Sequence, residues 1–565
     1  MSTYRTPDVY IEEISTLPPS VAEVSTAIPA FLGYTEKVID SGGTDLTYVP
    51  TRINTMLDFI AIFGKQDNVA FKVTTQTVDS KVVVSGVALD AADQNHRLYY
   101  ALDHFFKNGG GSCYIVSLGT YKIKANEDFE KGLAALKKED EPTLLVLSEA
   151  TTLSSTDYYP LCQAALDQCA DLKDRFCILD VLESDTTATA FRTGITNNLK
   201  YGAAYFPYLN TSINFQFEED NVFISAASVT PVVPTTTSRT FTYTDATVIG
   251  LSYSGAATDA PSLEIIAGTA SGTVTFSKTG NKLTITNVGA NGKAGSVIET
   301  AWAAWTEGST SGFALTVSSA TNKLVPLPET PLTITPEAGG DLPAGVSQKL
   351  SEIKNTNTGL YNTVKLELLK QRVTLPPSPA VAGVYATVDR SRGVWKAPAN
   401  VGLNNVISPT VKITAQEQDL LNVDDNSGKS INAIRTFVGK GTLIWGARTL
   451  AGNDNEWRYV PVRRLFNMIE ESSKKASAFA VFEPNDASTW LKVKGMLESY
   501  LYGLWQAGAL AGSKADSAYY VHVGLGKTMS TQDILEGRMI IEIGIAAVRP
   551  AEFIILRFSH KLQEA

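Results

Sequence analysis

The segment Gly524-Leu525-Gly526-Lys527-Thr528 is the best candidate for phosphate chemistry, because Gly-Lys-Thr ends the loop that wraps nucleotide phosphates. The full motif also needs a glycine five positions before Gly526, and this chain has Val521 there. Without that glycine the segment lacks the loop that would surround a phosphate. We therefore predict a simple turn after a strand over residues 519–523 and no nucleotide site.

Histidines and cysteines offer few groups for metal binding or nucleophilic catalysis. His96 and His104 lie eight positions apart on a segment predicted to be helical, and no carboxylate or cysteine stands at a useful metal spacing from them. No Cys-x-x-Cys, His-Glu-x-x-His or Gly-x-Ser-x-Gly motif occurs. We predict no catalytic residue, no cofactor and no metal site. Buried free thiols are predicted at all four cysteines, which are Cys113, Cys162, Cys169 and Cys177.

Length and composition indicate a large globular protein. The chain has 565 residues, of which 44% are apolar and 19% charged, so we expect three or four domains. The formal net charge of −10 argues against a basic surface for nucleic acid. No apolar run reaches the ~18 residues that a bilayer-spanning helix needs, and the start of the chain lacks a secretory signal pattern. We predict a protein that is made and folded in the cytoplasm.

The first half of the chain alternates strands and helices. Residues 143–147 and 176–181 are continuous apolar runs, as in strands covered on both faces. Helical patterns over 128–138 and 158–172 alternate with these runs. We therefore predict a parallel-type sheet, with a fold class of α+β or α/β in several domains.

The segment from about residue 226 to residue 336 differs in composition from the rest. It is rich in Thr, Ser and Gly, and short runs such as 240–244 and 282–286 alternate apolar and polar residues. Prolines at both ends of the segment mark its boundaries. We predict an inserted, β-rich domain with polar outer faces.

The last 190 residues carry the strongest helical pattern. A helix is predicted over 461–475, with Val462, Leu465, Phe466 and Ile469 facing inward and Arg463, Arg464 and Lys474 facing outward. The chain then ends in two predicted strands, over 538–548 and 551–558, followed by a short polar tail.

The N-terminus alternates like a strand, but no turn or partner strand lies beside it. An unpaired apolar strand at a chain end exposes its backbone donors and acceptors. It must pair far away in its own fold or with another copy of the protein. The residues predicted to lie in such arm strands at the two ends of the chain are Tyr4, Val9, Tyr10, Ile11, Ile14, Ile540, Ile541, Ile543, Phe553, Ile554 and Ile555.

A series of short segments occurs in order along the chain. They include Tyr4-Arg5-Thr6-Pro7-Asp8-Val9-Tyr10, Ala30-Phe31-Leu32-Gly33-Tyr34, Asn108-Gly109-Gly110-Gly111, Arg392-Gly393-Val394-Trp395, Trp445-Gly446-Ala447-Arg448, Val481-Phe482-Glu483-Pro484-Asn485-Asp486 and Pro550-Ala551-Glu552-Phe553-Ile554. No single segment is specific, but their order and number across the two ends of the chain are. Taken together, they resemble the tail sheath proteins of contractile phage tails, R-type bacteriocins and extracellular contractile injection systems.

The resemblance implies a structural subunit and no enzyme. Subunits of that family stack as hexameric rings in a helical tube around an inner tube, exchange terminal arms with neighbours, and contract to drive the inner tube through a target envelope. The implied partners are further copies of the chain, the inner tube protein, baseplate and terminal cap proteins, and sibling sheath proteins as additional candidates. Direct insertion into a membrane is not implied. The particle would be assembled in the cytoplasm and then be released or membrane-anchored.

We divide the chain on this basis into four predicted parts. Arg463 and Arg464 are predicted to contact the tube or a neighbour, with an ordinary solvated helix face as the alternative. The parts are an N-terminal arm (1–30), a sheath core with the C-terminal arm (31–105 and 376–565), an α/β middle domain (106–225 and 337–375) and the β-rich outer insertion (226–336).

Two other functions remain open from the residues alone. One is a cytoplasmic α/β enzyme with a β-rich appendage, although the sequence offers no catalytic constellation for it. The other is a surface or adhesin-like protein, suggested by the Thr/Ser-rich insertion but not by the N-terminus.

Overall fold

The computed structural model describes residues 20–78, 81–90, 96–121, 124–226, 238–244, 248–256, 261–269, 271–326, 332–333, 348–424 and 426–557. The chain divides into two compact units. The first contains residues 1–69, 90–218 and 368–565, and the second contains residues 70–89 and 219–367. The four predicted domain ranges stay a prediction.

A nine-stranded sheet forms the centre of the first unit. Its strands lie in the order Thr51–Ile53, Cys113–Thr120, Pro29–Thr35, Leu144–Val146, Phe176–Asp180, Gly202–Phe206, Ile431–Phe437, Gly441–Ile444 and Val401–Gly402. The six strands from Cys113–Thr120 to Ile431–Phe437 run parallel, and antiparallel strands close both edges. The predicted parallel sheet and mixed α/β class are therefore confirmed.

Alternate side chains of this sheet enter two separate cores. Ala30 and Leu32 pack on one face with the helices Asn126–Leu136 and Ser155–Leu172. Phe31 packs on the other face with the helices Leu98–Lys107 and Ser378–Arg392. Because both faces are covered, the central strands are mostly apolar on both sides, and this explains why they form nearly continuous apolar runs in the sequence.

Further elements complete the first unit. A small antiparallel sheet consists of Arg372–Leu375, Leu209–Asn214 and Val406–Pro409. The strands Tyr519–Val523 and Ile541–Ile545 form a two-stranded ribbon. The remaining helices are Met56–Phe63, Thr189–Gly194, Ala415–Asn422, Val460–Ser477, Ala487–Gln506, Ala515–Ala518 and Thr531–Leu535.

Short sheets make up most of the second unit. One joins Gln348–Lys349, Val222–Ala226, Phe71–Val78 and Lys81–Leu89, and another joins Ser238–Thr244, Ile249–Ala256 and Phe313–Val317. A third joins Thr275–Thr279, Lys282–Thr286, Ser262–Ile265 and Leu332–Thr333, and Lys293–Ala294 pairs with Lys323–Leu324. Its helices are Gly295–Ala304, Leu350–Ile353 and most of Thr358–Leu368. Most described elements between residues 226 and 336 are short strands, and the predicted insertion domain with these bounds stays a prediction.

Candidate assembly interface

The C-terminal ribbon, which consists of Tyr519–Val523 and Ile541–Ile545, packs one face on the helix Ala487–Gln506 and its neighbours. Val521 and Val523 are buried, and Ile541, Ile543 and Ile545 pack against the same core. Tyr520 and His522 alternate with the valines and are exposed on the other face. Two of the predicted arm residues, Ile541 and Ile543, therefore pair within their own chain, opposite Val523 and Val521.

The edges of the ribbon carry no further strand among the described residues. Within the part of the chain that the structure describes, its two strands pair only with each other as a sheet. A strand edge without a partner exposes a row of backbone donors and acceptors to any extended segment that can reach it.

The C-terminal arm, residues 549–557, follows the ribbon directly. Residues 551–557 of the predicted strand pair with no described strand of the single chain, so that strand stays a prediction. Its apolar side chains are uncovered: Phe553, Ile554, Ile555 and Leu556 are 71%, 80%, 77% and 72% exposed. Four consecutive apolar residues exposed in this way are typical of a surface that binds a partner.

The root of the N-terminal arm lies on the same region of the first unit. Val21 and Val24 pack against the core under the helices Val460–Ser477 and Ala487–Gln506, and the Val24 amide donates to Ser472 Oγ at 3.1 Å. The predicted arm residues Tyr4, Val9, Tyr10, Ile11 and Ile14 lie outside the described residues, so their pairing stays a prediction. Ile540 lies just before the ribbon, and its carbonyl accepts a hydrogen bond from Thr528 Oγ1 at 2.6 Å.

The predicted outward orientation of Arg463 and Arg464 is wrong. Both guanidinium groups are buried, at 2% and 3% exposure, whereas Lys474 on the same helix is exposed as predicted. The sequence prediction placed both arginines on the solvated face because arginine is usually exposed, and helical spacing does not reveal a buried partner elsewhere in the chain. Their predicted contact with a tube or a neighbour remains untested.

Arg464 fixes the root of the N-terminal arm, at Thr26, to the first unit. It donates to both carboxylate oxygens of Asp389, at 3.0 and 2.5 Å, and to the Thr26 carbonyl at 2.7 Å. Thr26 Oγ1 donates to Asp389 as well, at 2.6 Å, and the guanidinium lies 4.6 Å from the ring centre of Tyr385. The buried charge pair therefore joins residue 26 to two helices of the same unit.

Arg463 is held by aromatic rings and by its own helix. It lies 4.3 Å from the ring centre of Trp457, and it donates to Asn467 and Glu470, both at 2.8 Å. Its role in the single chain is therefore packing and local charge pairing.

The segments and side chains considered above as candidates for phosphate binding, catalysis or metal binding have structural roles in the fold. The backbone amides of Lys527 and Thr528 donate to the Gly524 carbonyl, so this segment forms the predicted turn. All four cysteines are buried and free, and burial raises the pKa of each thiol. Among the described residues, no three His, Cys, Asp or Glu side chains are grouped to bind a metal ion. In the same part of the chain, no helix is long and apolar enough to cross a membrane.

Asp180 lies at the carboxyl end of a central strand, the edge where open α/β sheets often bind ligands. Here its carboxylate is buried and accepts hydrogen bonds from the backbone amide and Oγ of Ser378, at 2.8 and 2.5 Å. Burial raises the pKa of Asp180 to about 7, although both bonds from Ser378 oppose that rise. The group joins the Ser378–Arg392 helix to the sheet.

This raised pKa gives a testable pH dependence. Between pH 4 and pH 7 the folded chain keeps a proton on Asp180 that the unfolded chain releases, so stability falls as the pH rises through that window. We expect Asp180→Asn to remove this loss and to gain about 2 kcal/mol relative to the wild type between pH 5 and pH 7.5. Chemical unfolding at the two pH values measures the gain. The exposed Asp516→Asn is the control, and an equal pH response of wild type and Asp180→Asn would contradict the assignment.

Comparison with known proteins shows similarity to tail sheath proteins. The model of the phage tail sheath C-terminal domain matches residues 452–561, which include the ribbon and the arm. The tail sheath proteins of Enterobacteria phage T4 and Vibrio phage KVP40 are each 24% identical, over 188 and 185 residues. These matches cover 33% of this chain and only 27% and 26% of the relatives, so the chain spans about a quarter of the length of the curated relatives that it matches.

Solved structures match over the whole chain. The helical sheath of the anti-feeding prophage in the contracted state is 27% identical with a TM-score of 0.55, covering 99% of this chain and 100% of that one. The contracted sheath complex of the PVC extracellular contractile injection system is 25% identical with a TM-score of 0.53, covering 100% and 99%. Sequence motifs, C-terminal domain and whole-chain fold agree in their similarity to contractile tail sheath proteins.

Proposed function

We propose that this chain is the structural, non-catalytic subunit of a contractile sheath. It stacks as hexameric rings in a helical tube around an inner tube, and it contracts to drive that tube through a target envelope. The observation that carries this proposal is the uncovered apolar segment Phe553–Leu556, which follows an open-edged ribbon. The similarity over the full chain to two sheaths described in the contracted state supports it.

Exchanged arms complete the sheet in this proposal. A neighbour's extended arm pairs with a free edge of the ribbon, so that backbone groups of both partners are satisfied. The N-terminal arm, rooted at Thr26, and the C-terminal arm, which follows the ribbon, are the two donors. Each subunit is thereby connected to its neighbours by short strands.

The energetics favour a polymer over a tight pair. A strand of five residues contributes four or five hydrogen bonds of about 1 kcal/mol net each. Burial of two or three apolar side chains adds roughly 1.5–3 kcal/mol each, and ordering the arm costs about 1–2 kcal/mol per residue. The net gain per arm is small, so one contact is weak while a lattice that repeats it is stable. Weak, repeated connections also allow rings to change their packing without separating, as a two-state contraction requires.

The remaining partners follow from the same role. The inner tube protein, baseplate and terminal cap proteins and sibling sheath proteins are the proposed contacts of the assembled sheath. Assembly in the cytoplasm, as part of a phage tail or phage tail-like particle, is the proposed setting. Energy stored in the extended lattice during assembly drives the stroke, so the subunit needs no nucleotide.

Electron microscopy tests the proposal directly. The full-length chain, purified alone and co-expressed with its cognate tube protein, should form striated tubes whose repeat corresponds to stacked rings. Sedimentation of the same samples measures the polymerised fraction. Compact, monodisperse particles under both conditions would contradict the sheath role and favour the alternative of an α/β enzyme.

A further inference from the structure

One carboxylate fixes the C-terminal arm at its root. Glu552 accepts hydrogen bonds from Arg448 Nε at 2.9 Å and Arg448 Nη2 at 2.7 Å, one to each oxygen. Asn422 Nδ2 donates to it at 3.0 Å and Tyr459 Oη at 3.2 Å. A bidentate arginine pair with two further donors is among the strongest side-chain arrangements for holding a chain segment.

The donors come from three separate elements of the first unit. Asn422 ends the Ala415–Asn422 helix, Tyr459 precedes the Val460–Ser477 helix, and Arg448 lies in the connection from the strand Gly441–Ile444 to that second helix. Arg448 is itself fixed to the central sheet, because its amide and carbonyl bond the side chain of Asn432, both at 2.8 Å. The clamp, defined here as Glu552 with Arg448, Asn422 and Tyr459, is thus anchored in the core of the subunit.

Charge strengthens this arrangement. Arg448 is buried, so its cation needs a carboxylate partner, and Glu552 supplies it. Burial alone would raise the pKa of Glu552, but the bonds from Arg448, Asn422 and Tyr459 hold it below its ordinary value. The clamp therefore stays ionised at neutral pH.

The residues after the clamp are exposed, whereas Glu552 is held by four hydrogen-bond donors of its own subunit. Phe553 to Leu556 leave the surface with most of their area exposed. We propose that Glu552 is the fixed pivot of the C-terminal arm, so that the chain up to Glu552 belongs to its own subunit and the residues after it form the exchanged strand. This inference rests on the proposed sheath function and adds the residue that positions the arm.

A pivot at this position has a physical advantage. The five described residues after it, Phe553–Arg557, reach at most about 17 Å when extended. Fixing the root limits the volume that the arm explores, and this raises its effective concentration at the neighbour's ribbon. Less ordering entropy is then lost when the arm pairs.

The variant Glu552→Gln tests the pivot in the unassembled subunit. Chymotrypsin cleavage after Phe553 requires the residues on both sides of the bond to enter the protease cleft, so Glu552 must first leave the clamp, and the fragment Ile554–Ala565 identifies that cut by mass spectrometry. We expect cleavage on the order of tenfold faster in the variant, since a charge-assisted contact is replaced by a neutral one. Glu456→Gln removes an equal charge from an exposed loop and should leave the rate unchanged. An unchanged rate in Glu552→Gln would overturn the pivot.

Assembly supplies the second readout. Glu552→Gln should raise the subunit concentration at which half the protein sediments as tubes, by on the order of tenfold. Faster cleavage with unaltered assembly would also overturn the inference, because the clamp would then play no part in exchange. If the wild type itself forms no tubes, the proposed function fails while the cleavage result still decides whether the clamp holds the arm.

A second, milder variant tests the clamp in case Glu552→Gln impairs folding. Tyr459→Phe removes one donor of the clamp and keeps the ring, so it should accelerate cleavage in the same direction by a smaller factor. Circular dichroism melting of both variants checks that the subunit is folded. A Tyr459→Phe rate equal to or below that of the wild type, in a folded subunit, would count against the pivot.

Discussion

Two lysines placed at alternate positions of the C-terminal arm should abolish tube formation when they replace the face that packs on the neighbour. The same change on the opposite face should only weaken tube formation. In an added strand, Phe553 and Ile555 point to one side and Ile554 and Leu556 to the other. The ribbon buries one face on the Ala487–Gln506 helix and exposes the other, so an added strand has one apolar face to bury. Two lysines on that face would remove its apolar burial, at roughly 1.5–3 kcal/mol per side chain, and add two charges that must be desolvated.

Two double variants separate the faces: Phe553→Lys/Ile555→Lys and Ile554→Lys/Leu556→Lys. Sedimentation and negative-stain microscopy at increasing protein concentration measure tube formation. Because the net gain per arm is only a few kcal/mol, we expect the damaging pair to leave no tubes at a hundredfold higher concentration than the wild type needs. Leu366→Lys, which places a lysine at a comparably exposed leucine in the second unit, is the matched control.

The comparison of the two double variants is decisive for the strand geometry. If neither pair reduces tube formation, the arm is not an exchanged strand. If both pairs abolish it equally, the arm binds its neighbour but not as a strand with one buried face. A difference between the pairs also identifies which side of the arm faces the neighbour's core.

Local sequence signals were sufficient for much of the first unit. The apolar run at 176–181 predicted a strand because both faces of the sheet are covered, and the structure has Phe176–Asp180 there. Asp486 is the N-cap of the helix Ala487–Gln506, and it accepts a bond from the Thr489 amide at 2.9 Å. Such features depend on residues close together in the chain, and sequence patterns record them directly.

Distant partners could not be predicted in this way. The strand Ile431–Phe437 joins Gly202–Phe206 in parallel across more than 220 residues, and no local pattern indicates that neighbour. Glu552 lies in a segment that was noted for its resemblance to sheath proteins, and it is the one acidic residue of the apolar run 550–556. Its partners Arg448 and Asn422 are 104 and 130 positions away. A lone charge in an apolar segment was the available signal for the clamp.

Arg464 shows the physical reason for the main error. Helical periodicity treats arginine as an outward residue, and that holds unless a buried carboxylate compensates it. Its partner Asp389 is 75 positions away and its other acceptor, Thr26, is 438 positions away. The orientation of this side chain is therefore a property of the tertiary structure.

Arg464→Met should be the most destabilising single substitution that we predict for the folded subunit. Methionine keeps much of the side-chain length, but Asp389 is left buried without the guanidinium, and Thr26 Oγ1 still donates to it. Removing one member of a buried ion pair costs about 3–5 kcal/mol, because the other charge remains uncompensated. Denaturant unfolding, followed by circular dichroism, measures the change in the free energy of unfolding.

The exposed Lys474 provides a control on the same helix. It is 69% exposed, and its partner Glu471 keeps a second cation, Lys475, at 3.3 Å, so Lys474→Met should change the free energy of unfolding by no more than about 0.5 kcal/mol. The contrast between the two variants isolates the effect of burial, because charge, helix and replacement are the same. Similar losses in both variants would show that helix propensity or net charge, and not the buried pair, dominates.

A double-mutant cycle with Asp389→Asn identifies the partner of Arg464. If the two charges compensate each other, the double variant Arg464→Met/Asp389→Asn should lose less stability than the sum of the single variants, by at least about 1 kcal/mol. Additive losses would mean that the arginine acts through Thr26 and Tyr385 instead. Because Arg464 also bonds the Thr26 carbonyl, hydrogen exchange at residues 21–28 should accelerate in Arg464→Met before the subunit unfolds globally. That local release would connect the buried pair to the root of the N-terminal arm, where the proposed exchange between subunits begins.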